Sequence, residues 1–213
     1  MPRWGMVIDL KRCVGCNACT IACKQEHGTP PDIHFARVVT REVGTYPHTK
    51  RTFLPLLCNH CEDAPCERVC PTGATYIRPD GIVMVDADKC IGCRACAVAC
   101  PYLNRHFIEP GLLHAGYSGN GDLTPFERLK FAAFQEGTMT KCTFCAHRVD
   151  QGLEPACVVT CPTEARVFGD LDDPNGRLSQ LIEERKGWTL LPECGTKPCV
   201  YYLDEEERRP SDQ

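Results

Sequence analysis

The chain has 213 residues, 43% of them hydrophobic, a length suited to one or two compact domains with real cores. Its formal net charge of −4 excludes a nucleic-acid surface of the basic-patch kind, and no apolar run approaches the length of a membrane span. Eighteen cysteines would suggest a disulfide scaffold in a short secreted protein, but the start, MPRWGMVIDLKRC, has neither the apolar stretch nor the cleavage site of a signal peptide.

From these features we expect a protein soluble by itself that reaches any membrane or exported location through a partner. MVID, residues 6 to 9, reads as a short strand leading into a first cysteine set, Cys13, Cys16, Cys19 and Cys23 in CVGCNACTIACK. NACTIACKQEH is expected to be a short helix that begins inside this set. The second set is Cys58, Cys61, Cys66 and Cys70 in CNHCEDAPCERVCP. ATYI and IVMV, joined by the turn RPDG at 78 to 81, read as a hairpin. Its second strand enters the third set, Cys90, Cys93, Cys96 and Cys100 in CIGCRACAVACP, with RACAVAC as another short helix.

The 41 residues between Cys100 and Cys142 exceed what a tight link needs. Within them TPFERLKFAAFQEG reads as a helix with Thr124 as N-cap, Pro125 in first position and Gly137 at its end. Phe126, Leu129, Ala133 and Phe134 fall near one face, with Phe131 on another flank. Two readings of this arm stay open: it packs on its own domain, or it docks a partner. The fourth set is Cys142, Cys145, Cys157 and Cys161 in CTFCAHRVDQGLEPACVVTCP. Beyond it, GRLSQLIEERKG reads as a helix, WTLL and VYYL as a closing strand pair, and DEEERRPSDQ as a mobile tail.

Every set opens C-x2-C and closes C-x3-C, which makes an internal repeat. Thiolates at i, i+3 and i+6 wrap three corners of one cubane if the loop curls tightly, and Gly15, Ala18, Gly92 and Ala95 are small enough to let backbone N–H groups approach the sulfurs. The fourth cysteine has entered a helix, points away and reaches a different cluster, as in the two-cluster bacterial run C-x2-C-x2-C-x3-C-P. Proline follows Cys70, Cys100 and Cys161 and turns the chain out of the helix; Lys24 follows Cys23 instead. Sets two and three lie only 19 residues apart, against 34 and 41 for the other neighbours, so the simplest pairing nests two with three inside one with four. Zinc and disulfides compete with iron–sulfur clusters. Four-cysteine zinc sites draw two close pairs from separate hairpins, whereas sets one and three each pack four thiols into eleven residues.

In their order, CNHCEDAPCERVCPTGA, CIGCRACAVACPY, KCTFCAHRVDQGLEPACVVTCPTEA and GTKPCVYYL resemble the iron–sulfur (beta) electron-transfer subunits of the molybdopterin oxidoreductase family, the dimethyl sulfoxide and polysulfide reductase group, over residues 4–203. The resemblance implies an α+β fold of two ferredoxin-like cluster domains with short strands, short helices and long connecting loops. It implies an outer domain of residues 1–50 plus 141–203, an inner domain of 51–101, an insertion arm at 102–140 and a tail at 204–213. Some members replace a set-three cysteine with tryptophan; this chain keeps all sixteen, so four [4Fe-4S] clusters are implied. Cluster A would take Cys13, Cys16, Cys19 and Cys161; cluster B, Cys142, Cys145, Cys157 and Cys23. Cluster C would take Cys58, Cys61, Cys66 and Cys100; cluster D, Cys90, Cys93, Cys96 and Cys70.

The implied role is a relay of single electrons between a molybdenum or tungsten bis-pterin catalytic subunit and a quinone-reactive membrane subunit or another carrier. The chain would be membrane-associated through a partner, either periplasmic by co-export with a twin-arginine partner or cytoplasmic. A free-standing polyferredoxin and a zinc-stapled interaction module are the alternatives. No catalytic arrangement is recognisable in the sequence. Arg12, Lys89 and Lys141, each just before a first cysteine, and Arg94 inside set three either raise cluster potentials or are ordinary solvated cations. His60 and His147 are expected to support the sets or to lie at the surface, and not to ligate. Cys194 and Cys199 are left as a disulfide or as two free thiols.

Overall fold

The computed structural model describes residues 1–204. The first part of the chain forms β1 (Trp4–Asp9), α1 (Ala18–His27), β2 (Ala36–Thr45) and β3 (His48–Leu57). Next come α2 (Pro65–Arg68), β4 (Thr75–Ile77), β5 (Val83–Val85), α3 (Ala95–Val98), β6 (His106–Phe107), α4 (Leu112–Ala115) and α5 (Pro125–Phe131). The chain then builds β7 (Met139–Thr140), α6 (Ala146–Val149), α7 (Ala156–Val159), β8 (Arg166–Asp170), α8 (Arg177–Glu184) and β9 (Val200–Leu203). This is an α+β, ferredoxin-like architecture of small sheets and mostly single-turn helices.

Two strand pairs repeat one plan. The strand that leads into a cysteine set pairs antiparallel with the strand that leaves another: β1, before Cys13, with β8, after Cys161, and β5, before Cys90, with β4, after Cys70. The registers correspond, Ile8 facing Arg166 and Val85 facing Thr75. After each leading strand an aspartate turns the chain into its set. Asp9 Oδ1 accepts from the N–H groups of Lys11 (3.0 Å) and Arg12 (3.4 Å), and Asp86 Oδ1 from those of Asp88 (3.0 Å) and Lys89 (3.3 Å). The two ladders join the ends of sets one and four, and of sets two and three.

The sequence expectations hold for β1, for the β4–β5 hairpin, for the helix of set one and for α8. Four differ. WTLL is not a strand: only Trp188 bridges to Tyr202, and β9 instead joins β1 in parallel, because β1 is the central strand and Val200 and Tyr202 close the core beside it. The hairpin β2–β3 has no counterpart in the reading; its strands are largely exposed, so period-two burial is weak. Its second strand runs through residues 50 and 51, where a domain boundary is expected.

The third difference is the arm helix, which ends at Phe131, well short of Gly137. Its buried face is also the opposite one: Glu127 and Phe131 point in, while Phe126 and Leu129 are exposed. The cause is the capping box. Glu127 accepts from the N–H of Thr124 (2.7 Å), the Thr124 hydroxyl (2.6 Å) and the N–H of Tyr117 (2.7 Å), and that inward turn carries Phe131, four residues on, into the core. The arm lies on the protein's own surface, Lys130 Nζ donating to Glu26 O (2.6 Å) and the Tyr117 hydroxyl to Thr29 O. The fourth difference concerns the sets. Helices α2, α3 and α7 are single turns that stop before the fourth cysteine, and the prolines that follow cannot continue them. The tail past Asp204 lies outside the described residues.

Lys24 explains why set one departs from the others. Without proline there, α1 runs on through Cys23 to His27 and ends at Gly28, whose left-handed backbone (φ 58°) a side chain would both strain and drive into Lys130. The Lys24 ammonium then binds the next loop, donating to Thr29 O (3.2 Å), Thr29 Oγ1 (3.2 Å), Pro30 O (2.9 Å) and Ile33 O (3.0 Å). Lys24→Met removes the side chain that ties Thr29, Pro30 and Ile33 together and is expected to speed limited proteolysis at residues 29–33 without changing iron content; unchanged cleavage would contradict this role. Among the described residues no helix is long and apolar enough to cross a membrane.

Candidate metal centres

The sixteen set cysteines are free thiols. Cys19, Cys23, Cys61, Cys66, Cys96, Cys142, Cys145 and Cys157 are buried, Cys16 and Cys93 are exposed, and the remaining six are half-buried. Their electrostatic neighbours cross the sets. Burial, followed by Cys142, Cys157 and Cys145 of set four, pushes the Cys23 thiol far above its ordinary value. Burial also raises Cys13, with Cys19 and Cys161 adding to it. Cys61 is pushed up to about 12 by burial and by Cys58, with Cys66 and Cys100 contributing. Burial raises Cys96 against the pull of Arg105, while Cys66, Cys90 and Cys70 add to the rise. Further links join these groups in a row: Cys157 feels Cys19, and Cys142 feels Cys58 more than it feels Cys145 and Cys157 of its own set.

Two closing cysteines behave differently. Burial works against ionisation at Cys70, but the N–H of Thr75 and the hydroxyl of Thr72 hold its thiol below the usual value. At Cys161 burial is likewise outweighed by the N–H of Ala165 and the hydroxyl of Thr163. Both are C-P-T sequences, so the threonine two residues on is the legible signal.

Does this arrangement suit iron and sulfur? Among the described residues no three His, Cys, Asp or Glu side chains converge on a point that would hold one metal ion. The thiols surround spaces instead; Cys58, Cys61, Cys66 and Cys100 line one small, largely enclosed cavity together with Arg105. A tetrahedral zinc gathers four sulfurs onto one ion, whereas a cubane spreads them over its corners. Backbone N–H groups also point at sulfurs: Thr75 at Cys70 (3.4 Å), Met139 at Cys90 (3.4 Å), Phe144 at Cys142 (3.4 Å) and Ala165 at Cys161 (3.2 Å). Such contacts suit the charge of cluster thiolates. Arg105 Nη2 is buried without a hydrogen-bond partner, beside Cys66, Cys96 and Cys58, where a negative cluster would compensate it. The residues fit [4Fe-4S] clusters.

Gly15 and Gly92 have a packing reason beyond the one expected. Both are left-handed (φ 66° and 67°), and a Cβ would strike the Phe53 ring in one case and Gly137 O in the other. Of the basic residues the sequence offers, Arg12, Lys89 and Arg94 are solvated and pair with Glu164, Asp86 and Glu109. Lys141 alone is buried, donating to Val83 O and to Cys142 O (2.6 Å). His60 is fully buried; its Nδ1 accepts from Val83 N (3.1 Å) and its ring stacks on Phe144 at 3.8 Å, so sets two and four meet there. His147 is exposed and bound to Glu26 (2.7 Å). Cys194 and Cys199 are free thiols, the first exposed and the second buried.

Three residues near sulfurs are absent from the sequence reading. His27 Nε2 lies 3.2 Å from Cys145 Sγ, and burial first, then His147, lowers its pKa to about 4. Arg105 and Arg166 are the others, each buried among thiols. Both stand five residues after a closing cysteine, in CPYLNR and CPTEAR, a spacing visible in the sequence but downstream of the sets.

Comparison with known proteins agrees with this chemistry. Residues 49–110 and 119–171 match the family model of a 4Fe-4S dicluster domain, and residues 10–26 that of a 4Fe-4S binding domain. The chain is 44% identical to the arsenate respiratory reductase iron–sulfur subunit of Shewanella sp., over 94% of this chain and 96% of that one. It is 42% identical to a subunit of the selenate reductase of Mesobacillus selenatarsenatis (94% and 72%). With a subunit of the sulfite dehydrogenase of Allochromatium vinosum the identity is 40% (98% and 86%).

Proposed function

This chain belongs to the iron–sulfur electron-transfer subunits of the molybdopterin oxidoreductase family, and from that premise we propose which thiols hold each cluster and what the relay connects. The protein is an electron-transfer subunit that carries [4Fe-4S] clusters. When bound, the clusters accept and give up single electrons without making or breaking bonds.

Cys13, Cys16, Cys19 and Cys161 hold cluster A; Cys142, Cys145, Cys157 and Cys23 hold B. Cys58, Cys61, Cys66 and Cys100 hold C; Cys90, Cys93, Cys96 and Cys70 hold D. The observation that carries this scheme is the position of Cys23: α1 takes it out of its own set and buries it among the three thiols of set four. The electrostatic influence of Cys19 on Cys157 and of Cys58 on Cys142 supports the order A, B, C, D along the molecule. In this scheme sets one and four make the outer unit, sets two and three the inner one, and residues 102–140 an arm laid on the outer unit.

The partner at one end is a molybdenum-containing catalytic subunit, supported by the reductase and dehydrogenase subunits to which this chain is similar. At the other end we place a quinone-reactive membrane subunit or another carrier, through which the protein is held at a membrane. Relatives named both reductase and dehydrogenase support a chain that serves either direction of flow.

Cross-ligation is tested by cysteine substitution. Cys23→Ser is expected to alter the same EPR signal as Cys142→Ser and to leave the signal altered by Cys16→Ser largely intact. Matching effects of Cys23→Ser and Cys16→Ser would mean that each set closes its own cluster, and the scheme would fall.

A further inference from the structure

Two arginines are buried where sulfur groups meet, and neither has a carboxylate in ion-pair range among the described residues. Arg166 Nη2 lies 3.5 Å from Cys19 Sγ, while its Nη1 lies 3.9 Å from Cys157 Sγ and 3.5 Å from Met6 Sδ. Arg105 Nη1 donates to Thr75 Oγ1 (3.0 Å), its Nη2 is buried without a partner, and its charge acts on Cys66, Cys96 and Cys58. A guanidinium does not lose its proton in a protein, and burying it unpaired is strongly unfavourable. The compensating negative charge must come from the sulfurs. In the ligand scheme above, Arg166 lies against Cys19 of A and Cys157 of B, while Arg105 lines the cavity of C with Cys58, Cys61, Cys66 and Cys100 and bonds to Thr75, whose N–H points at Cys70 of D (3.4 Å).

The two charges share their spacing from a closing cysteine but not their place in the strand ladders. Arg166 begins β8 opposite Ile8, and the residue in the corresponding register is Thr75, which begins β4 opposite Val85. The inner unit therefore has a threonine where the outer unit has its arginine. Its guanidinium arrives from another segment, after Cys100, and bonds to that threonine's hydroxyl. Both arginines stand five residues after a closing cysteine, Arg166 after Cys161 and Arg105 after Cys100, yet they reach the thiols from different places in their ladders.

We propose that Arg166 and Arg105 are positioning residues of the relay, each guanidinium lying between the two clusters of its pair, raising the reduction potential of both and keeping the two close to one another. The guanidinium transfers neither a proton nor a bond. It stays charged while one electron passes across it, one side being oxidised by one electron and the other reduced by one. Because it neighbours both sides, that transfer costs little of its attraction. A fixed charge shared in this way also weakens the repulsion between adjacent reduced centres.

The proposal rests on the ligand scheme, whose failure would appear in the Cys23→Ser spectra and not in potentials. The test is potentiometric EPR titration of the full chain with its clusters, with iron measured in every sample. Arg166→Met is expected to disfavour reduction of the two outer clusters at least tenfold, 59 mV for a one-electron couple, and to leave the inner pair near its original potentials. Arg105→Met should do the converse. Arg166→Lys and Arg105→Lys, which keep the charge, should recover most of each shift. Full iron with unchanged potentials, or an equal shift of all four clusters, would overturn the proposal. Should a methionine variant lose iron, the glutamine variant at the same position decides by the same criteria. If neither neutral variant holds its clusters while lysine does not restore them, the arginine is structural and the proposal is wrong.

Discussion

Anaerobically purified protein is expected to contain about sixteen irons per chain and as much acid-labile sulfide, and to unfold when they are stripped by acid or chelation. The count follows from four thiol groups of four. The unfolding follows from where those thiols sit. Cys19, Cys23, Cys142 and Cys157 are part of the main core, and Cys61, Cys66 and Cys96 make up much of the second. Helices of one turn cannot stand alone, since a nucleated turn needs tertiary partners. Without iron the spaces between the sulfurs are voids lined by thiols whose ionisation burial opposes, and Arg105 and Arg166 lose their counter-charge. Colorimetric iron and sulfide analysis with circular dichroism before and after stripping checks both parts. About eight irons, or stoichiometric zinc, would refute the four-cluster assignment. Stripped protein that keeps its circular dichroism would refute the dependence of the fold on iron.

Phe144→Ala is expected to destabilise the protein by an amount on the order of 3–5 kcal/mol, the usual cost of deleting a buried aromatic ring. Phe144 is fully buried, stacks on His60 at 3.8 Å and meets the edge of Phe168 at 5.5 Å. His60 and Phe144 each lie inside an opening C-x2-C, of set two and set four, so the cavity would open at the contact between the two groups of sets. The wall left behind includes the face of His60, which loses its stacking partner. The measurement is the urea midpoint followed by visible absorption, with Leu129→Ala as an exposed control expected within about 0.5 kcal/mol of the parent protein. Equal midpoints for Phe144→Ala and the parent would show that the two units are not held together through this stack.

Much of this protein was legible in its sequence because cluster binding is a local demand. Three thiols at fixed short spacings, small residues between them and a proline after the fourth are requirements that neighbouring residues must satisfy themselves, so the sixteen cysteines, the strand before Cys13 and the hairpin between sets two and three could be read directly. The nested pairing was suggested by spacing alone. What only the tertiary structure decided involves residues far apart in the chain. β9 chose the edge of β1 over WTLL because β1 is the strand with a free side next to the core, which no local pattern records. The arm helix turned its face around because a capping carboxylate bonded to Tyr117, ten residues away, outweighed the apolar periodicity of Phe126 and Leu129. Nothing local marks Arg105 and Arg166 as buried, since a charge gains its meaning from neighbours that approach through the fold: Cys19 lies 147 residues from Arg166 and comes within 3.5 Å of it only once β8 has paired with β1.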